Sequence, residues 1–286
     1  MSSGNGVVEH ALEQASEHNA AERVIAGEGT TETAWRAWPG LAALAGIAVT
    51  TLVPSGRRAV IVAPHPDDEL LGTGGLIASL LALPAAEAPT EVLVIAVTDG
   101  TGSHPDSPLW PAGRLAQVRP AETTDALRVL LDGAAPCRED EAPARALRVV
   151  RAGLPDGGVA AHEDALCDFL RSRLRADDVL FATWRFDGHP DHEAVGRAAA
   201  RAVADSGATL VEVPVWTWHW AAPGDSRVPW HRARRLLLSP SVAQAKRQAV
   251  QAYPSQLVED PSTGAAPILP PYVLARVLRE FEVFLV

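Results

Sequence analysis

Between residues 58 and 220 the apolar positions follow two alternating rhythms. Short runs dense in Val, Ile, Leu and Ala predict strands over 59–63, 92–98, 146–150, 179–183 and 210–218. Between them, apolar residues recur every three or four positions, which predicts helices over 69–83, 114–131, 163–175 and 192–204. Strands alternating with helices of this length predict an α/β domain with a mostly parallel sheet and helices on both faces. The C-terminal third is a smaller, irregular part. It offers a strand over 234–238, a helix over 241–252, a rigid Pro-rich break over 267–271 and a last strand over 282–286.

The first 56 residues read differently. A helix is predicted over 9–24, a break over 27–33, then Trp35 and Trp38 before Pro39-Gly40, then a second helix over 41–53. The expected organisation is an N-terminal helical extension, 1–56, on a main domain, 57–286. The extension is a candidate accessory arm or a surface for homo-oligomer formation.

Composition narrows the class. A chain of 286 residues that is 47% hydrophobic buries enough core for one large α/β domain. Its formal charge of -10, without a basic stripe, argues against nucleic acid as a partner. The Arg-containing runs at 145–151 and 171–175 read as solvated faces. The two cysteines, Cys137 and Cys167, form no C-x-x-C pair and read as reduced thiols. The N-terminus lacks the basic-then-apolar order of a signal peptide, and the longest apolar stretch, 41–49, is too short for a transmembrane segment. A cytoplasmic location is expected.

Two clusters carry candidate chemistry. The strand at 59–63 runs into Pro64-His65-Pro66-Asp67-Asp68-Glu69, one imidazole and three carboxylates within five residues. Ligands of open parallel sheets bind beyond the carboxyl ends of strands, where this cluster falls. So many acids together are unfavourable unless a cation or hydrogen-bond donors compensate. Helix capping alone needs one acid, not two behind a histidine. The second cluster, Gly188-His189-Pro190-Asp191-His192, also lies between a strand and a helix, and its His-x-x-His spacing lets both rings face one cavity. Imidazoles and carboxylates are ligands that zinc accepts. The run Gly72-Thr73-Gly74-Gly75 has the wrong spacing for a dinucleotide fingerprint, and three acids at the helix start would repel a pyrophosphate. Those glycines read as close helix packing, which argues against a nucleotide-binding oxidoreductase.

Other residues are candidate substrate contacts. Trp184, Arg185 and Asp187 lie beside the second cluster, where Arg185 would bind a phosphate or carboxylate or simply pair with Asp187. His104, in a third His-Pro-Asp, is a pocket residue or a plain loop residue. Arg119 either contacts substrate or pairs with Glu122 at helical spacing, and the following Pro120 suggests that its helix starts there. An extended chain through 216–220 places Trp216, Trp218 and Trp220 on one face and His219 on the other, either stacking on a sugar or packing the core.

Together with Thr98-Asp99-Gly100, Arg119-x-x-Glu122, Leu154-Pro155-Asp156-Gly157 and Tyr253-Pro254-Ser255-Gln256, the two clusters resemble the LmbE/PIG-L family of zinc-dependent N-acetylglucosaminyl de-N-acetylases, over roughly 58–257. The resemblance implies a Rossmann-like fold and one catalytic zinc (Zn2+), with Fe2+ also suited to the donors. It implies His65, Asp68 and His192 as metal ligands, Asp67 as general base, and His189 as the group that polarises the carbonyl or protonates the leaving amine. The implied activity is hydrolysis of the acetyl (acyl) amide of an N-acetylated amino sugar or its small-molecule conjugate. The alternatives are a metallo-amidase acting on another amide, such as a thiol conjugate, and a non-catalytic metal- or sugar-binding module.

Overall fold

The computed structural model describes residues 23–84, 86–134 and 147–286. The helix expected over 9–24 falls almost wholly outside them, as does Cys137. Every expected strand is present in some form. They are β1 (Ala59–Ala63), β2 (Val92–Thr98), β3 (Leu147–Leu154), β4 (Val179–Thr183), β5 (Thr209–Val213), β6 (Ala233–Leu237) and β7 (Phe281–Leu285). They form one sheet in the order β3-β2-β1-β4-β5-β7-β6. The first five pair in parallel, and β7 joins β5 and β6 antiparallel. This is the mostly parallel α/β arrangement read from the pattern, with an antiparallel C-terminal edge.

The alternation of side chains along each strand sorts the core into two layers. Ile61, Val94, Phe181 and Val213 face one side, under α4 (Asp68–Leu81), α5 (Ala112–Ala134) and α9 (Pro240–Val250). Val60, Val62, Leu93, Ile95 and Leu180 face the other, under α6 (Glu163–Arg171) and α7 (Pro190–Ser206). Both faces of β1 and β4 are therefore dry, as the apolar runs require. Cys167 is buried as a free thiol in the second layer.

The chain leaves β1 toward β2 and β3 on one side, and β4 starts the opposite side. The order thus reverses between β1 and β4, and at such a switch point the loops after the two strands splay apart and leave a crevice. Both His/Asp clusters follow these two strands.

Helix α4 packs unusually close to the sheet. A Cβ on Gly75 would lie 2.5 Å from Leu238 and 3.0 Å from the Glu282 carboxyl carbon. The missing side chain admits Glu282, which accepts the Gly75 and Leu76 N–H groups at 2.7 and 2.8 Å, while Lys246 Nζ donates to Glu282 at 2.6 Å and to the Leu71 carbonyl at 2.8 Å. The glycine run is thus a packing device, as expected, around a buried ion pair.

Three expectations change. The helix expected over 41–53 divides into α2 (Pro39–Ala43) and α3 (Val49–Leu52), after α1 (Glu32–Ala37). The chain between them bonds to the open edge of β6, Arg235 N–H to the Ala45 carbonyl at 2.9 Å and Ile47 N–H to the Arg235 carbonyl at 3.0 Å. An unpaired strand edge is a stronger attractor here than local helix propensity. Helix α5 begins at Ala112 and runs through Pro120, because Leu115, Ala126, Leu127 and Leu130 bury one continuous apolar face. The strand expected over 210–218 stops at Val213. Pro214 has no N–H to continue a ladder, and the chain turns into the short α8 (Thr217–Trp220).

The described part of the N-terminal segment packs on its own chain. Trp35 is wholly buried, donates from Nε1 to the Trp218 carbonyl at 2.8 Å and meets the Trp218 ring edge-on at 5.1 Å. Trp218 is therefore core, and the alternating Trp face expected for an extended chain does not form. Among the described residues no helix is long and apolar enough to cross a membrane. Replacing Trp35 by alanine is expected to cost about 3–5 kcal/mol in a denaturant titration. Unfolding in a single transition is the expected result, and a separate early transition would mean that the segment folds independently of the sheet.

Candidate active site

The loop after β1 forces its backbone into an unusual shape. Asp67 has φ 133°, far from ordinary L-residue conformations, so surrounding bonds must hold it. Glu69 accepts the Asp67 N–H at 3.1 Å and is itself held by the Tyr253 hydroxyl at 2.8 Å. Arg119 donates to the Asp67 carboxylate at 2.9 Å, to the Pro66 carbonyl at 2.7 Å and to the Gly100 carbonyl at 2.9 Å. Gly100 makes that approach possible, because a Cβ there would sit 1.9 Å from the guanidinium. Asp67 occupies the N-cap position of α4 but makes no side-chain capping bond, so helix capping does not explain it.

Asp68 points between two imidazoles. Its Oδ2 lies 3.2 Å from His65 Nδ1 and 3.1 Å from His192 Nε2. His65 Nε2 faces Asp156 at 3.1 Å and Asp191 at 3.3 Å. Those two acids are spent on backbone donors, Asp156 on Gly102 at 2.6 Å and Asp191 on Gly157 and Val159 at 2.7 and 3.1 Å. Two sets, His65 with His189 and His192, and His65 with Asp156 and Asp191, bring three potential ligand atoms within 4.8 Å of one another.

His192 is fixed from behind. Its Nδ1 lies 2.8 Å from Asp187, which is wholly buried. Asp187 also accepts the N–H groups of Val215, Trp216 and Thr217, each at 2.9 Å, and the Thr217 hydroxyl at 2.6 Å. A carboxylate so surrounded accepts from Nδ1–H, which leaves a lone pair on His192 Nε2. That buried nitrogen lies 3.1 Å from Asp68 Oδ2 but outside hydrogen-bond geometry with it. Ligands at about 2.0–2.1 Å from a tetrahedral zinc stand roughly 3.3 Å apart, close to the spacings around Asp68 Oδ2. The orphaned nitrogen and the converging donors fit a divalent metal.

Electrostatics separate the groups by role. Burial raises Asp67 to about 7, outweighing the opposing effect of Arg119. Burial also disfavours ionised Asp68, but His192 and His65 outweigh it and hold that carboxyl well below its usual range. Burial opposes a charge on His192, yet Asp68 and Asp187 bring it to about 9, so without a cation Nε2 holds a proton that a bound metal would displace. Burial and the neighbouring His192 and His65 charges lower His189 to about 3, so its ring is neutral. His189 Nδ1 accepts the Asp191 N–H at 3.2 Å, which leaves the ring proton on Nε2.

A cavity of about 240 Å³ opens on this cluster. His65, Asp67, Asp68, Arg119, Asp156 and His189 line its polar end, and Leu71, Val215, Trp216, Leu269 and Val273 line an apolar wall. Of the residues singled out as substrate contacts, Arg119 lines the cavity. Trp184 is buried beside Trp220, Arg185 pairs with Glu212 at 2.7 Å rather than with Asp187, and His104 stands by Trp110. Asp187 supports His192. Glu122 bonds to Ser255 rather than Arg119. Sequence reasoning assigned no role to Asp156, Asp191 or Tyr253, although each stands in a quoted motif, because their partners lie far along the chain.

The sheet order and the metal-type cluster at its switch point define a Rossmann-like α/β protein. The family described as PIG-L: GlcNAc-PI de-N-acetylase matches residues 60–203, and the chain belongs to that family. N,N'-diacetylchitobiose deacetylase from Pyrococcus horikoshii shares the fold, at TM-score 0.52 and 20% identity over 72% of this chain and 73% of that one. A conserved protein from Thermus thermophilus is 25% identical over 76% of this chain and 84% of that one, at TM-score 0.47. The zinc-inhibited form of teicoplanin deacetylase Orf2 is 23% identical over 70% and 85%, at TM-score 0.48. A search of the curated proteins finds no match.

Replacing Asp187 by asparagine removes the charge and turns one of its two acceptor oxygens into a donor, which loosens the hold on His192 Nδ1. Divalent-metal affinity, read by competition with a chromophoric chelator, is expected to fall about 10–100-fold. Unchanged affinity would remove His192 from the ligand set.

Proposed function

We propose that the chain is a zinc-dependent hydrolase that removes the acetyl group from the amide nitrogen of an N-acetylated amino sugar or its conjugate. Family membership supports the reaction class. The observation that carries the mechanism is Asp67, a buried carboxyl brought near neutrality beside the converging donors and open to the same cavity. A structural or storage metal site needs no such group.

In this reading His65, Asp68 and His192 hold the metal, and Fe2+ suits the same donors. When bound, the cation supplies Lewis acidity to the acyl carbonyl and to the attacking water. Asp67 takes a proton from that water, a task suited to a base with a value near the working pH. Arg119 holds the carboxylate in position from one side, and Glu69 with Tyr253 holds its backbone from the other. The neutral His189 presents an Nε2–H donor where the amide oxygen gathers negative charge. Burial, first of all, keeps that ring neutral. Asp67 then carries the proton to the departing nitrogen.

The test is release of free amine from a panel of N-acetylglucosamine conjugates. Chelator is expected to abolish it and added zinc to restore it. Asp67→Asn is expected to keep zinc binding and lose about 10²–10⁴-fold in kcat. Near-normal turnover by this variant would overturn the base assignment, and no amine from any conjugate would overturn the reaction.

A further inference from the structure

The far side of the cavity contains a buried cation that the chemistry above does not use. Arg276, on α11 (Pro271–Val277), lines the cavity and is 2% exposed. Its Nη1 donates to the carbonyls of Glu28 at 2.8 Å and Thr30 at 2.6 Å, and its Nη2 to His219 Nδ1 at 3.0 Å. All three acceptors are uncharged, because burial and Arg276 itself lower His219 and keep its ring neutral. Among the described residues no carboxylate lies within ion-pair distance of Arg276. The Tyr272 ring lies 5.7 Å from the guanidinium carbon, and Glu32, which also acts on it through space, is committed to Arg279 at 2.6 Å and Arg36 at 2.8 Å. Arg276 is also pushed down from the ordinary arginine value, first by burial.

A guanidinium has five N–H bonds in a planar fork. Three are spent on these neutral acceptors. The Nε–H and one Nη2–H find no acceptor among the described residues, and an Nε–Nη2 edge is one on which a guanidinium takes an oxyanion. A buried charge without a counter-ion is costly, and a ligand that supplies the counter-ion relieves that cost. The apolar wall formed by Leu269, Val273 and Val277 offers an anion no competing donors, and low surrounding polarity strengthens the pairing.

The geometry points to Arg276 as the receptor for an oxyanion, a phosphate or a carboxylate, carried on the part of the substrate remote from the hydrolysed amide. This rests on the deacetylase reading for where the amide sits, but not for the binding itself. The substrate is then an N-acetylated amino sugar whose aglycone is anionic.

The experiment is equilibrium binding to the full chain by calorimetry. It compares methyl N-acetylglucosaminide, N-acetylglucosamine 1-phosphate and the carboxymethyl glycoside of N-acetylglucosamine. At least one anionic sugar is expected to bind tenfold or more tightly than the neutral one, and the tighter anion identifies phosphate or carboxylate. In Arg276→Gln that ratio is expected to fall toward one, with partial recovery in Arg276→Lys. A purely structural clamp on the 28–30 backbone would weaken all three sugars by the same factor and leave the ratio unmoved, which would overturn the proposal. So would equal binding of all three to the unaltered chain. Binding preference without amine release would instead keep the anion site and remove the deacetylase reading.

Discussion

The buried carboxylate of Asp187 holds the site together. It accepts from His192 Nδ1, from three successive backbone N–H groups after Pro214 and from the Thr217 hydroxyl. An anion removed from water needs this many donors, because each unsatisfied oxygen is expensive in the interior. By collecting them it ties the loop after β4 to the loop after β5. It ends β5, orients the His192 lone pair and turns Trp216 into the cavity wall. A change at this one side chain therefore reaches the metal donors, the fold of the neighbouring loop and the shape of the pocket.

The crowding of acids after β1 follows a related logic, with a separate partner for each charge. Asp68 is ionised between two imidazoles, Asp67 is held by Arg119 and pushed toward neutrality by burial, and Glu69 is occupied by Tyr253 and the Asp67 N–H. Three neighbouring carboxyls thereby take three settings: one between two imidazoles, one on a guanidinium and one bracing the backbone. The distinction comes from which distant residue meets each one, since the three share the same few ångströms of chain.

The Arg276 side of the cavity is lined by residues 268–277, and the carbonyls of Glu28 and Thr30 hold Arg276 there. Residues 23–30 lie against the second cluster and α8, through Arg23 on Glu193 at 2.8 Å and Thr30 N–H on the His219 carbonyl at 2.8 Å. Arg276 on α11 then binds the same strap. The His/Asp end of the cavity is built by the loops at the switch point, and the Arg276 end by residues 268–277.

Continuous apolar runs and intervening helical periods made the parallel sheet legible in the sequence, because each signal is local and the central strands β1 and β4 are dry on both faces. The same runs located both His/Asp clusters at strand ends, where a parallel sheet opens. The sequence could not show that Asp187 would capture the amides after Pro214 and end β5, that Arg185 would take Glu212, or that residues 45–47 would leave a helix to cover β6. Nor did it mark Asp156 and Asp191 as partners of His65, or Arg276 as a cation in the cavity with no carboxylate partner among the described residues. Each of those outcomes depends on which groups, remote in the chain, share one buried volume. The tertiary structure decides that, because a buried charge or N–H takes whichever partner the fold brings within hydrogen-bond reach.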